Sequence, residues 1–196
     1  MNSNNLNIKS DDDEIICEFI KGSKNAFNIL VRKYQERIYW VIRKMVIDHD
    51  DADDITQEVF LRVHKALKDF RGDSKFFTYL YRIAINLSLN HLNRTNKIVA
   101  RSVKIENTYI STNDISADEN MDALEKTKLL EEAIDSLPAQ QRAVFNMRYY
   151  DNLSYEEISE IMKKSIGGMK ANYFHALKNI KKYLKKNKMF ELMEQN

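Results

Sequence analysis

The chain has 196 residues but only four glycines, one proline and one cysteine. Few residues are left to make tight turns, and clear alternating runs of β-branched side chains are missing, so an all-α chain is expected. A single cysteine, Cys17, excludes an internal disulfide. No apolar run approaches the roughly 18 residues that a membrane span needs. No basic-then-apolar leader opens the sequence, which makes the cytosol the expected compartment. There is no glycine-rich phosphate loop, and Cys17 lies on a helix edge without an evident base. His49, His64, His91 and His175 show no ligand spacing with cysteine or with one another. The run DHDDADD (48–54) lacks the glycine and twelfth-position Glu of a calcium loop and reads as an acidic helix start. Neither an enzyme, a metal site nor a cofactor is expected.

What is present is 43% hydrophobic and 31% charged, enough to bury real cores. The net charge of +2 conceals an uneven distribution. Residues 1–96 carry 15 basic and 14 acidic side chains, 97–136 carry 5 and 9, and 137–196 carry 11 and 6. From Lys163 to Lys188 there are nine lysines and no acid. That tail suits a polyanion, and on charge alone it equally suits a solvated helical face.

Four helices fit the first half. Asp11–Asp13 caps a short one carrying Ile15, Ile16, Phe19 and Ile20. Gly22-Ser23 stops it and starts a second over 24–47, with Phe27, Leu30, Val31, Tyr34, Ile38, Val41, Ile42 and Met45 at 3–4 spacing. A third spans 51–68, its buried side being Ile55, Val59, Phe60, Val63, Ala66 and Leu67. After the turn Arg71-Gly72-Asp73, Ser74 caps a fourth over 75–95. Residues 97–121 lose the pattern and have the polar composition of a linker. This divides the chain into domains at 1–96 and 122–196. In the second, helices are expected at 122–136 and 138–150, with Pro138 at the first helical position. Ser154 and Glu157 have the spacing of a capping box. The short helix they open, with Ile158 and Ile161 inside, a turn near Lys164-Ser165 and a long basic helix together make a helix-turn-helix.

Two helices carry chemistry on one face. On the fourth, Tyr79, Arg82, Asn86, Asn90 and Asn93 share a side that has no carboxylate. Surface helices seldom favour Asn, whose side chain competes for backbone hydrogen bonds. Asn and Arg can bond phosphates or base edges, and Lys75-Phe76-Phe77 precedes them with rings able to stack on an unpaired base. A solvated polar face with Phe76 and Phe77 in the core remains the other reading. On the last helix, Ile166, Met169, Tyr173, Ala176, Ile180, Tyr183 and Leu184 form the core side. Lys170, Ala171, Phe174, Lys178, Lys181, Lys182 and Lys185 face outward, with Asn172 and His175 at the edges. A ring within a lysine stripe favours duplex DNA, lysines holding phosphates while apolar groups touch thymine methyls.

These residues carry a resemblance. DADDITQEVFLRVHKALKDFRGDSKFFTYLYRIAINLSLNHLNR (51–94) resembles conserved region 2 of bacterial sigma-70-type factors of the extracytoplasmic-function group. LEEAIDSLPAQQRAVFNMRYYDNLSYEEISEIMKKSIGGMKANYFHALKNIKKYL (130–184) resembles their region 4. The resemblance implies two small helical domains and a subunit that carries core RNA polymerase to promoters. It implies polymerase binding through Asp53, Asp54, Gln57, Glu58, Phe60, Leu61 and Val63. Single-stranded minus-10 DNA would be held by Arg71, Lys75, Phe76, Phe77, Tyr79, Arg82, Asn86, Asn90 and Arg94. Duplex minus-35 DNA would be read by Ser165, Lys170, Ala171, Asn172, Phe174, His175 and Lys178. An anti-sigma factor is a further partner the family implies. The chain departs from the family at Tyr79, where Trp is usual. It departs again at Gly167-Gly168-Met169-Lys170-Ala171-Asn172, where Gly-Thr-Val-Lys-Ser-Arg is common. A helix-turn-helix regulator acting without polymerase would explain 153–186 equally but leaves the Asn stripe without a purpose. A helical adaptor binding acidic protein leaves it so too.

Overall fold

The computed structural model describes residues 6–70, 72, 74–102 and 120–187, with side chains described over 6–70, 72, 74–95 and 125–187. Arg71 and most of the expected linker lie outside them. Among the described residues every regular element is helical. The described residues form two compact units, one built on those up to Asn90 together with Ser159–Lys163 and the other on the rest.

The amino-terminal unit contains α1 (Asp12–Ile20), α2 (Lys24–Arg43), α3 (His49–Ala66) with a 3₁₀ turn at Leu67–Asp69, and the start of α4 (Phe76–Ser102). Gly22, at φ +99°, ends α1 as expected. The Gly22 N–H reaches the Phe19 carbonyl at 2.9 Å, and the Ser23 N–H reaches that of Glu18 at 3.0 Å. Asp48 caps α3 by accepting from the Asp51 N–H at 3.0 Å, whereas Asp11 and Ser23 precede α1 and α2 without side-chain capping bonds. α2 stops four residues short of its expected end. Met45 and Val46 are still buried, because a non-helical corner turns them inward, and Arg43 Nη1 ties that corner by donating to the Val46 carbonyl at 3.0 Å. α4 runs past its expected end at 95 to Ser102, since Lys97–Arg101 contains neither Gly nor Pro to break it.

The core is formed by Ile15, Ile16 and Phe19 of α1, Leu30, Ile38 and Ile42 of α2, Val59 and Val63 of α3, and Leu80, Tyr81, Ala84 and Ile85 of α4. Each such large side chain contributes about 1.5–3 kcal/mol by leaving water. Ile20, expected inside, is 50% exposed, one position past the turn that faces the core. One polar staple joins α1 to α2. The Tyr34 hydroxyl donates to Asp12 Oδ2 at 2.5 Å, and Lys33 Nζ donates to Asp12 Oδ1 at 2.7 Å and to the Ser10 carbonyl at 2.8 Å.

The carboxy-terminal unit contains α5 (Asn120–Asp135), α6 (Ala139–Tyr149), α7 (Tyr155–Met162) and α8 (Ile166–Lys186). Pro138 sits at the cap of α6, with φ −52° and ψ 138°, one position earlier than expected. The capping box forms: the Glu157 N–H donates to Ser154 Oγ at 3.1 Å and the Ser154 N–H to Glu157 Oε2 at 2.8 Å. Ala133, Ile134, Leu137, Phe145, Ala176 and Ile180 make the core that seats α8 on α5 and α6. Arg142 is buried beside it, bonding the Asp135 carbonyl and lying 3.3 Å from the Asp135 carboxylate; burial lowers its pKa, and the Asp135 charge opposes that shift. Ile166, expected on the core side, is 39% exposed at the helix start.

Two measurements check these contacts. Burial, then the bond to Asp12, raises the Tyr34 hydroxyl above its ordinary value of 10.0. A raised folded value gives a contribution complete below about pH 10 and lost as pH climbs through that value. Tyr34→Phe should therefore cost about 1 kcal/mol near neutral pH, and urea titrations should show the cost shrinking above pH 10. On α8, a Cβ at Gly167 meets nothing within 4 Å, whereas one at Gly168 comes within 3.2 Å of Ser165 Oγ, the atom that caps Gly168. Gly167→Ala should raise stability by up to about 1 kcal/mol and Gly168→Ala by less, as read by thermal unfolding.

Candidate nucleic-acid interfaces

α4 starts inside a run of touching rings. Tyr34 lies 5.7 Å from Phe76 and 5.8 Å from Phe77. Phe70 lies 5.9 Å from Phe76, edge-on, and 5.2 Å from Tyr79. Phe77 meets Tyr81 edge-on at 5.5 Å, and the Arg37 guanidinium lies over Phe77 at 3.9 Å from its centroid. Such pairs fix ring planes as well as burying area. Phe76, expected to offer a stacking face, is only 3% exposed; its ring is a floor beneath Tyr34 and Phe70. Phe77 and Tyr79 are half-buried, and Lys75 is exposed. Along the polar stripe Arg82 is half-buried, while Asn86, Asn90, Asn93 and Arg94 are exposed. Sequence reasoning singled out neither ring as a contact here: Phe70 entered only as the first residue of the Phe70–Arg94 segment the resemblance implies, and Tyr34 not at all. Phe70 was detectable as an aromatic directly before the Arg71-Gly72-Asp73 turn, but Tyr34 gave only a core signal.

On α3, Asp53, Asp54, Gln57 and Leu61 are exposed and Glu58 is half-buried, its carboxylate held by Arg62 at 2.6 Å. Phe60 is 8% exposed and Val63 is wholly buried, so Val63 supports this face from within rather than presenting itself on it. Gln57, Phe60 and Leu61, with Thr56 and His64 and with Phe27, Val31 and Gln35 of α2, line a cleft of 490 Å³. His64 stands edge-on to Phe27 at 4.7 Å and to Phe19 at 5.4 Å at its border.

α8 presents Lys170, Ala171, Phe174, His175, Lys178, Lys181, Lys182 and Lys185 to solvent. Phe174 is 64% exposed, its ring edge-on to His175 at 5.8 Å. Tyr155 of α7 takes Lys170 at 5.7 Å and Arg148 at 5.2 Å on its ring, which steadies two cations at the start of the helix-turn-helix. Two expected base readers are engaged at home. Ser165 Oγ accepts from the Gly168 N–H at 3.2 Å, and Asn172 Nδ2 donates to the Gly168 carbonyl at 2.9 Å. The first turns of α8 thus present to solvent an apolar strip bordered by lysines.

Among the described residues no group of His, Cys, Asp or Glu is placed to hold a metal ion. No helix among them is long and apolar enough to cross a membrane.

Comparison with known proteins finds matches to both halves of the chain. The family described as Sigma-70 region 2 matches residues 30–98, and that described as Sigma-70, region 4 matches residues 127–180. The RNA polymerase sigma-H factor of Pseudomonas aeruginosa is 34% identical over 186 residues, covering 88% of this chain and 93% of that protein. The ECF RNA polymerase sigma-E factor of Escherichia coli K12 is 35% identical over 172 residues, covering 84% and 90%. The fold is shared with CnrH, solved with the cytosolic domain of CnrY, at a TM-score of 0.61, 19% identity and coverage of 89% and 97%. It is shared also with the sigma factor RpoE of Bartonella quintana, solved with the anti-sigma factor NepR, at 0.59, 20% identity and coverage of 81% and 96%. With both regions matched in order and relatives alike over nearly their whole length, the chain belongs to the sigma-70 family of RNA polymerase sigma factors, in its extracytoplasmic-function group.

Proposed function

We propose that the two surfaces divide the promoter between them: the ring-flanked face of α4 holds the melted non-template strand of the minus-10 element, and α8 reads the minus-35 element as duplex. The exposed face of α3, from Asp53 and Asp54 to Leu61, takes core polymerase, with the cleft beside Gln57 and Leu61 receiving apolar side chains. The chain is a promoter-specific initiation factor for RNA polymerase, as its family is. Work on polymerase places it in the cytoplasm. It performs no bond chemistry; its contribution is binding free energy. An anti-sigma factor, such as the one bound by the Bartonella relative, is a partner class extended to this chain by that likeness.

The observation that carries the reading is the carboxylate-free stripe of Tyr79, Asn86 and Asn90 beside fixed rings, in the same chain as a lysine-faced helix-turn-helix. Opening and turning out a base costs a few kcal/mol, and stacking on an aromatic returns about 1–3 kcal/mol per base. Uncharged hydrogen-bonding groups can then distinguish base edges without being swamped by attraction to every phosphate. Duplex reading needs the opposite balance, with cations supplying affinity and a few contacts supplying choice.

Tyr79→Ala combined with Asn86→Ala should impair open-complex formation, read by permanganate footprinting, and leave core binding unchanged. An unchanged footprint would remove α4 from strand capture. Lys170→Ala and Lys178→Ala should each flatten the log–log salt dependence of promoter binding by about one unit per lost phosphate contact. Unaltered slopes would show that these lysines only face solvent.

A further inference from the structure

The ring cluster at the start of α4 does not end with α4. Arg37 and Trp40 lie on one face of α2 with Lys33 and Lys44, at spacings of 4, 3 and 4. Arg37 is exposed, and its guanidinium rests on Phe77 at 3.9 Å. Trp40, the only tryptophan of the chain, is 53% exposed, with one edge against Tyr39 at 5.4 Å. Lys33 is occupied by Asp12, and Glu36 borders the stripe. A large exposed indole between basic positions, joined through Arg37 to an aromatic run that reaches Tyr79, has the composition of a single-strand nucleic-acid track.

We infer that Arg37 and Trp40 extend the single-strand surface onto α2 and hold nucleotides flanking the minus-10 segment, Trp40 by stacking on a base and Arg37 by bonding a phosphate. The occupant is single-stranded DNA, because the stripe is continuous with the ring cluster through the Arg37–Phe77 contact and because its charge complements a phosphate backbone. A planar guanidinium laid on a ring keeps its edge N–H groups free for an oxygen ligand. An indole offers any base a face, so this track adds affinity with little sequence preference. The inference rests on the assignment of α4 to the minus-10 strand.

The test uses polymerase holoenzyme reconstituted with the full chain and two DNA strands: the minus-10 segment alone, and the same segment extended by four nucleotides on each side. Arg37→Ala combined with Trp40→Ala should weaken binding of the extended strand about tenfold and leave the short one unchanged, as expected from the loss of one stacked base and one phosphate contact. Trp40→Phe should retain most of the affinity, and Arg37→Ala alone should lower the salt slope for the extended strand only. Both side chains are exposed, so these variants keep the core. Equal affinity of variant and wild type for the extended strand overturns the inference, and so does an equal loss on both strands. Loss of core binding by the double variant also overturns it, because the stripe would then serve a protein partner. Failure of wild-type holoenzyme to prefer the minus-10 segment over a scrambled strand would instead reject the assignment of α4 itself.

Discussion

The amino-terminal unit depends on where the ring of Tyr34 is held. Its hydroxyl is fixed by Asp12, which simultaneously fixes Lys33 and so ties α1 to α2. Its face is the wall against which Phe76 and Phe77 lean as α4 begins. Phe70 and Tyr79, which flank the reading surface, are set by contact with Phe76 and with each other. Ordering these rings during folding means that binding DNA need not order them again, and affinity gained by preorganisation is gained without added area. A single buried phenol therefore links the stability of the helical bundle to the shape offered to a strand.

On the proposed division of the promoter, the two surfaces differ in charge because they meet DNA in different states. Duplex DNA is dense in phosphate, and a row of lysines gains from releasing the ions condensed on it. α8 carries such a row, and Tyr155 holds Lys170 over its ring. A melted strand exposes base edges and faces, and a cationic wall would grip every sequence alike. The stripe from Tyr79 to Asn93 instead supplies uncharged hydrogen-bonding groups, with Arg82 half-buried among them. Salt should therefore act more strongly on the carboxy-terminal contact than on the base-specific part of the other.

Much of this was legible in the sequence, and what was missed has a common cause. The 3.6 period exposed the buried sides of α2, α3 and α8, and the Ser154–Glu157 box set the start of α7, because both signals are local. The Asp12–Tyr34 bond joins residues 22 apart, and no pattern within one helix announces it. The helical period puts Val63 on the buried side of α3 and allows Phe76 a core position, and both are buried; it was the resemblance that put them on binding surfaces. The cleft beside Leu61 needs Phe27 and Val31 from a second helix. Element ends failed where breakers were scarce: α4 simply continued, and α2 stopped although no glycine or proline marked its end.

The start of α8 shows how departures from a family pattern shift work from one surface to another. With Gly167-Gly168-Met169-Lys170-Ala171-Asn172 in place of the common residues, no arginine is available for the bidentate contact that best identifies guanine. Ser165 Oγ accepts from the Gly168 N–H and Asn172 Nδ2 donates to the Gly168 carbonyl, so only part of their hydrogen-bonding capacity is left for another partner. What remains exposed at the start of α8 is Gly167, Ala171 and Phe174 between lysines. Apolar contacts and groove shape discriminate less sharply than paired hydrogen bonds, and a lysine ammonium, on a flexible stem, selects a base less rigidly than an arginine fork. On the proposed division of the promoter, selectivity would then lean on the melted strand, where the ring cluster and the asparagines lie.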